Sequence, residues 1–316
     1  MWTANVLVFC RLSVAVCLLG SMICVSQAFS VDKIKEHFPV HRDRRMVGGA
    51  LATTHVPWQA MVYLSENVLD GGFAGGALIA PRWILTAGRN LFVRKTREHT
   101  QGKEPLVPKV YLGIFRRVNA NASTEVAVEK VFLHPGFQNT SDWDNDLALI
   151  QLKEPVTFSD SIFPIPMPES GEDQAEKAGQ MGVVAGWGWG IHFTPAETLK
   201  FLSLPVVECQ GQYSPKVATN TPTVDDKMFC TGPSKFQENV CFGDAGGALA
   251  FLEPKTNRVY AAGILSFDKA CNVEEKAVYM KISAYLPWIH SIIRGDSERF
   301  SSLRASLMTD MYTRQA

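Results

Sequence analysis

The chain has no excess of either charge, only one long apolar run, and few cysteines, and each shortage narrows what it can be. Lys and Arg together number 31, as do Asp and Glu, so the formal net charge is zero. No block of like charge stands out anywhere. A basic patch is what nucleic acid, heparin or an anionic membrane would call for, so these are not expected partners. The one long apolar run extends from Val6 to about Val25, broken chiefly by Arg11. Nothing later is long enough to cross a bilayer as a helix. Seven cysteines are present, and three of them (Cys10, Cys17, Cys24) lie in that run. His192 has no metal-spaced companion, so no metal is expected. No internal repeat is visible.

The apolar run ends in Ser26-Gln27-Ala28, with small residues at the two positions a signal peptidase reads. Residues 1–28 therefore read as a signal peptide, with an uncleaved signal anchor as the alternative. Its removal takes away Arg11 and three cysteines. The four that remain, Cys209, Cys230, Cys241 and Cys271, imply two disulfides in an oxidising compartment, with three possible pairings. Residues 29–45 form a charged leader holding five basic and three acidic side chains, so the chain from Met46 onward carries −3. Residues 296–316 form a polar tail. Leu303, Leu307 and Met311 at helical spacing could make it a surface helix.

Between Met46 and about Gly295 the chain alternates short aliphatic and aromatic runs with Gly, Pro, Asn and Asp. Runs such as Ala60–Leu64, Trp83–Leu85, Val110–Gly113, Ala148–Leu152, Val183–Gly186, Ala261–Leu265 and Val278–Ile282 read as strands. Without helical patterns between them they point to an all-β domain over 46–295. A length of about 250 residues suits a double barrel better than one sandwich. A closing helix is expected over Ala284–Arg294, where Leu286, Trp288, Ile289 and Ile292 make an apolar stripe. Two sequons, Asn121-Ala122-Ser123 and Asn139-Thr140-Ser141, sit in polar loops and are expected glycosylation sites.

Three segments carry a family resemblance. Trp83-Ile84-Leu85-Thr86-Ala87-Gly88-Arg89-Asn90 resembles W-V-L-T-A-A-H-C of the trypsin-like serine proteases. Asp144-Asn145-Asp146-Leu147-Ala148-Leu149-Ile150 resembles their D-N-D-I-A-L-L, and Cys241-Phe242-Gly243-Asp244-Ala245-Gly246-Gly247 resembles the turn that bears G-D-S-G-G. The resemblance implies a trypsin-like double β-barrel with a C-terminal helix. It also marks the losses. Arg89 stands at the general base and cannot accept a proton, and Ala245 stands at the nucleophile with no oxygen. Asp146 keeps the third triad place without a base to orient, and reads as a buried carboxylate paired with backbone amides or Arg89. Asn90 and Ala74 replace both halves of a local disulfide. The remaining cysteines match the family's pairs Cys209–Cys230 and Cys241–Cys271. Arg45-Met46-Val47-Gly48-Gly49 resembles a zymogen cleavage site, which would free the Met46 amino group to pair with Asp244. Pro166 stands where relatives carry the cysteine that retains a released leader.

Within that family the chain resembles the haptoglobin branch. The basis is Arg89-Asn90-Leu91-Phe92, Ser234-Lys235-Phe236-Gln237-Glu238, and Gly263-Ile264-Leu265-Ser266-Phe267-Asp268-Lys269-Ala270-Cys271. Working proteases have S-W-G where Ser266-Phe267-Asp268 stands, so Asp268 is expected to crowd the substrate groove. Asn239 replaces the carboxylate at the floor of trypsin's specificity pocket. The layout, with no complement-control module, resembles the haptoglobins of fish. The resemblance implies a secreted plasma protein that captures a haemoglobin αβ dimer, with acute-phase, antioxidant and iron-sparing roles and a clearance receptor. Trp187 is expected in the core, while Trp189, Phe193, Phe267 and Asp268, with Phe242, are candidates for the partner surface. Two alternatives are a pseudo-protease acting in signalling or antimicrobial defence, and a weak serine protease using the Gly243 and Ala245 amides as an oxyanion hole.

Overall fold

The computed structural model describes residues 50–295, apart from 53–54, 65–71, 92–106, 138–142, 170–176, 191–193, 210–221, 223, 254–255, 257, 269–270 and 272–274. Among the described residues, fourteen strands fall into two seven-stranded antiparallel sheets. The first sheet holds β2 (Gln59–Tyr63), β3 (Phe73–Ala80), β4 (Trp83–Thr86), β5 (Lys109–Tyr111), β6 (Glu125–Val126), β7 (Val128–Leu133) and β8 (Ala148–Leu152). Its spatial order is β6-β5-β2-β3-β4-β8-β7. The two edges, β6 and β7, are separated only by Ala127. One bent run of chain thus pairs with β5 at one end and β8 at the other, which closes the barrel and removes its edges.

The second sheet holds β1 (Ala50–Leu51), β9 (Met181–Gly186), β10 (Lys200–Val207), β11 (Met228–Thr231), β12 (Ala248–Glu253), β13 (Arg258–Phe267) and β14 (Ala277–Lys281). Its order is β1-β10-β11-β14-β13-β12-β9, and β9 also pairs with β10, so this sheet closes as well. A helix, α1, runs over 282–295. The expected double barrel with a C-terminal helix is the observed fold.

Several strands were not legible. β10 contains Pro205, which demotes a run in sequence reading. Pro205 nevertheless sits opposite Met181 in a full ladder, and its carbonyl accepts from the Gly232 amide at 3.0 Å. β7 is mostly half-buried or exposed and reads as polar because it lies on the rim of the closure. The apolar stripe of α1 is only partly as expected. Tyr285 and Ile289 are buried, whereas Leu286, Trp288 and Ile292 lie half-buried against the core. His134, which follows β7, meets the rings of Tyr285 and Trp288 edge-on at 5.2 and 5.0 Å, and so seats the helix on the first barrel.

The barrels meet where β3 passes the turn before β12. A Cβ on Gly75 would stand 2.6 Å from the Gly247 amide nitrogen, so only glycine fits at this crossing. The cleft between the barrels, with the ends of β4, β8 and β13 around it, is where the trypsin-like motifs converge.

Candidate functional site

Arg89 lies in a single 3-10 turn, Gly88–Leu91, directly after β4. Asp146 leads into β8 from Asn145, whose φ of +48° is one that Asn tolerates better than most residues. The Arg89 backbone N–H donates to Asp146 Oδ1 at 2.7 Å, and Ser266 Oγ donates to Asp146 Oδ2 at 2.6 Å. Asp146 is fully buried, so its charge is met by hydrogen bonds from a backbone amide and a hydroxyl.

The Arg89 side chain does not reach back to Asp146 in any hydrogen bond described. It crosses the cleft instead. Its Nη2 donates to Asp268 Oδ1 at 2.9 Å, with both side chains buried. The guanidinium lies over the Trp143 ring at 4.4 Å, and Trp143 in turn meets Phe267 edge-on at 5.2 Å. A planar, weakly hydrated guanidinium suits such a stacked, desolvated place better than an ammonium would.

The second oxygen of Asp268 lies between two backbone donors. Gly243 N–H and Ala245 N–H both donate to Asp268 Oδ2, each at 3.2 Å. These are the amides that would hold a developing oxyanion in a working protease. The turn that presents them is shaped by Gly243 and Gly246, at φ +95° and +92°. Ala245 itself is buried and offers only a methyl group. Its carbonyl accepts from Gly75 N–H at 2.8 Å and from Asn90 Nδ2 at 2.9 Å. Asn90, at the position of the expected cysteine, ties the Arg89 turn to the Ala245 turn by this hydrogen bond.

The trypsin family model matches residues 46–289. Dog haptoglobin is 36% identical over 82% of this chain and 77% of its own length. Rabbit haptoglobin is 36% identical over 83% of this chain and 74% of its own. Human haptoglobin is 34% identical over 81% of this chain and 61% of its own length.

The chain belongs to the haptoglobin branch of the trypsin family.

The family's disulfide pattern is present in this haptoglobin relative, as Cys209–Cys230 and Cys241–Cys271. Asn239, at the pocket floor, is buried; its Nδ2 donates to the Glu275 carbonyl at 2.8 Å and its Oδ1 accepts from Val240 N–H at 3.0 Å. Asp244 is buried, accepting from Gly188 N–H at 2.8 Å and from Cys241 N–H at 3.0 Å. Burial pushes its carboxyl up to about 7, against the opposing pull of those two amides, with Asp268 adding to the rise and Lys200 opposing it. The Asp244 carboxylate is packed tightly against the chain over 186–188: a Cβ on Gly188 would fall 2.3 Å from its Oδ2.

Two expected partner-surface residues are corrected. Phe267 is 3% exposed and belongs to the core, packed on Trp143, because β13 carries it inward. Asp268 is 2% exposed and is consumed by Arg89 and the two amides. Trp187 is core as expected, 1% exposed, with its indole N–H donating to the Phe115 carbonyl at 3.2 Å. Trp189 is half-buried; it meets the Phe242 ring at 5.6 Å, and its backbone N–H donates to the Phe242 carbonyl at 2.9 Å. Asn121 is exposed in a turn closed by Ser123, whose Oγ donates to Asn121 Oδ1 at 2.7 Å. Arg45, Met46, Asn139 and Phe193 lie outside the described residues.

Sequence reasoning missed two members of the site. Trp143 carried a usable signal, being an aromatic three residues before Asp146. Ser266 carried none by itself, since a serine in a strand says nothing of the carboxylate it will meet 120 residues away.

Proposed function

We propose that this protein is a secreted binder of free haemoglobin that uses its protease-like domain as a docking scaffold and does not cleave peptides. The observation that carries the non-proteolytic half is the Arg89–Asp268 pair lying across the former catalytic cleft, beside an Ala245 that has no nucleophilic atom. Relationship to haptoglobins supports the choice of haemoglobin, in the form of an αβ dimer, as the partner.

Capture of this kind needs a loop-built surface with aromatic anchors in its centre and a polar rim. Trp189 with Phe242 is the candidate anchor pair, and Phe193 in the same loop is a further candidate. Phe236 is 53% exposed beside Lys235, on the neighbouring 234–239 loop. The haem stays with its globin, so the protein needs no cofactor of its own.

Residues 1–28 would be removed on secretion. Cleavage after Arg45 would free the Met46 amino group to meet Asp244, a buried carboxylate whose two described hydrogen-bond donors are both backbone amides. Asn121 and Asn139 are the proposed glycan sites.

The test is to mix the purified protein with haemoglobin and follow haem absorbance through size exclusion. Haem moving stably to a larger species supports the reading. Haem eluting unchanged across a concentration series removes haemoglobin as the partner. Stoichiometric labelling by a fluorophosphonate would overturn the non-proteolytic half.

A further inference from the structure

The most unusual feature of the cleft is that its anion-binding donors are already satisfied from within. The backbone N–H groups of Gly243 and Ala245 converge on one oxygen atom, Asp268 Oδ2. The other oxygen of the same carboxylate takes the Arg89 guanidinium. A carboxylate held by two convergent amides and a guanidinium is a built anion site, and its occupant here is part of the chain.

We propose that Asp268 is a tethered, permanent ligand of the former oxyanion hole, and that with Arg89 it latches the two barrels together across the cleft. Arg89 belongs to the first barrel, in the turn that follows β4, and is held there by Asp146 and Trp143. Asp268 follows β13 and the 243–245 turn precedes β12, both in the second barrel. The pair therefore bonds barrel to barrel, and the amides bond the turn to the pair. A change from glycine to aspartate at this position does two things at once. It fills the hole against any acyl substrate, and it gives the Arg89 charge, placed where a neutral base once stood, the partner that burial requires. This inference does not depend on haemoglobin being the ligand.

The test uses chemical rescue of the occupant. Asp268→Ala keeps Cβ and removes only the carboxylate, leaving a space shaped for formate beside Gly243 N–H, Ala245 N–H and Arg89. The thermal midpoint of Asp268→Ala should fall well below that of the parent chain. Titration with sodium formate should then raise it saturably, and by more than sodium chloride at equal ionic strength. The parent chain should show no such difference, and the Arg89→Met/Asp268→Ala double variant should lose most of it. Equal responses to formate and chloride in Asp268→Ala would overturn the proposal, as would the same formate response in the parent chain. If Asp268→Ala accumulates unfolded, refolding yield replaces the midpoint: a higher yield in formate supports the anion site, and equal yields refute it.

Discussion

Replacing Asp244 by Asn gives a prediction whose size depends on pH and whose sign depends on the state of the chain's amino terminus. The carboxyl is buried, its described hydrogen bonds come only from the amides of Gly188 and Cys241, and burial raises it from 3.8 to about 7. A rise of that size corresponds to about 4 kcal/mol set against the ionised form in the folded state. Between the two values the folded protein holds a proton that the unfolded chain has lost. Stability from this group is therefore fully present below about pH 4, falls as pH rises toward about 7, and is flat above that. Asn removes the slope, but it turns an amide N–H toward one of the two backbone donors, which costs about 1–3 kcal/mol. At pH 8, in a chain with Arg45 intact, Asp244→Asn should be neutral to stabilising by about 1–3 kcal/mol, the difference of those two terms. At pH 5 only about 2 kcal/mol of the burial cost is present, so the substitution should be about 2–3 kcal/mol less favourable there than at pH 8. In a chain cleaved after Arg45, an amino group paired with Asp244 reverses the result, and the same substitution should cost about 3–5 kcal/mol at pH 8 by stranding a buried charge. Denaturant melts of both forms, with and without the substitution, at pH 5 and pH 8, read all of this. If Asp244→Asn and the parent chain show the same pH dependence, the burial argument is wrong.

Three further outcomes follow from the cleft. Replacing Cys241 and Cys271 together by Ala opens a link across 30 residues that anchors the 241–247 turn, and should cost about 4 kcal/mol in a thermal or denaturant melt; a loss under 1 kcal/mol would mean that the latch holds the turn unaided. Arg89→His with Ala245→Ser restores the triad residue types but leaves Asp268 in the oxyanion hole, so fluorophosphonate labelling should be no faster than in the parent chain. Trp189→Ala should weaken haemoglobin binding about 30-fold, the equivalent of a 2 kcal/mol anchor, in a calorimetric titration; unchanged affinity would move the anchor elsewhere on the surface.

The fold was legible because its signals are local. Short apolar runs, turn residues and the apolar stripe of the final helix each report on a few neighbouring positions, and the motif spacing then fixed the double barrel. Positions of Arg89, Asp146 and Ala245 could be read the same way. What Asp268 does could not. Its crowding of the groove was foreseeable from the replaced glycine, but its two oxygens meet a side chain 179 residues away and two amides 25 and 23 residues away. Such contacts are set by how β4, β12 and β13 end around one cleft, and no local pattern encodes them. The expectation that Phe267 and Asp268 face a partner failed for the same reason: Phe267, at the end of β13, packs into the core, and Asp268 turns into the cleft.

The lost catalytic positions are not independent defects. An arginine at the base position would be an uncompensated buried charge, at a cost of several kcal/mol, unless a carboxylate came within reach. Asp268 supplies it, and only because glycine is absent there. The same carboxylate needs donors for its second oxygen, and the two amides of the 243–245 turn are the ones left idle once no substrate is bound. Asn90 in turn holds Ala245 through its carbonyl, in place of the disulfide that would have joined positions 90 and 74. Each replacement supplies what another lacks, so reverting one alone should be worse than reverting the linked set. That coupling is measurable: the destabilisations of Arg89→Met and Asp268→Ala should sum to more than that of the double variant, because each single change strands the other partner's charge and the double change strands none. Additive losses would show that the two residues merely lie near each other.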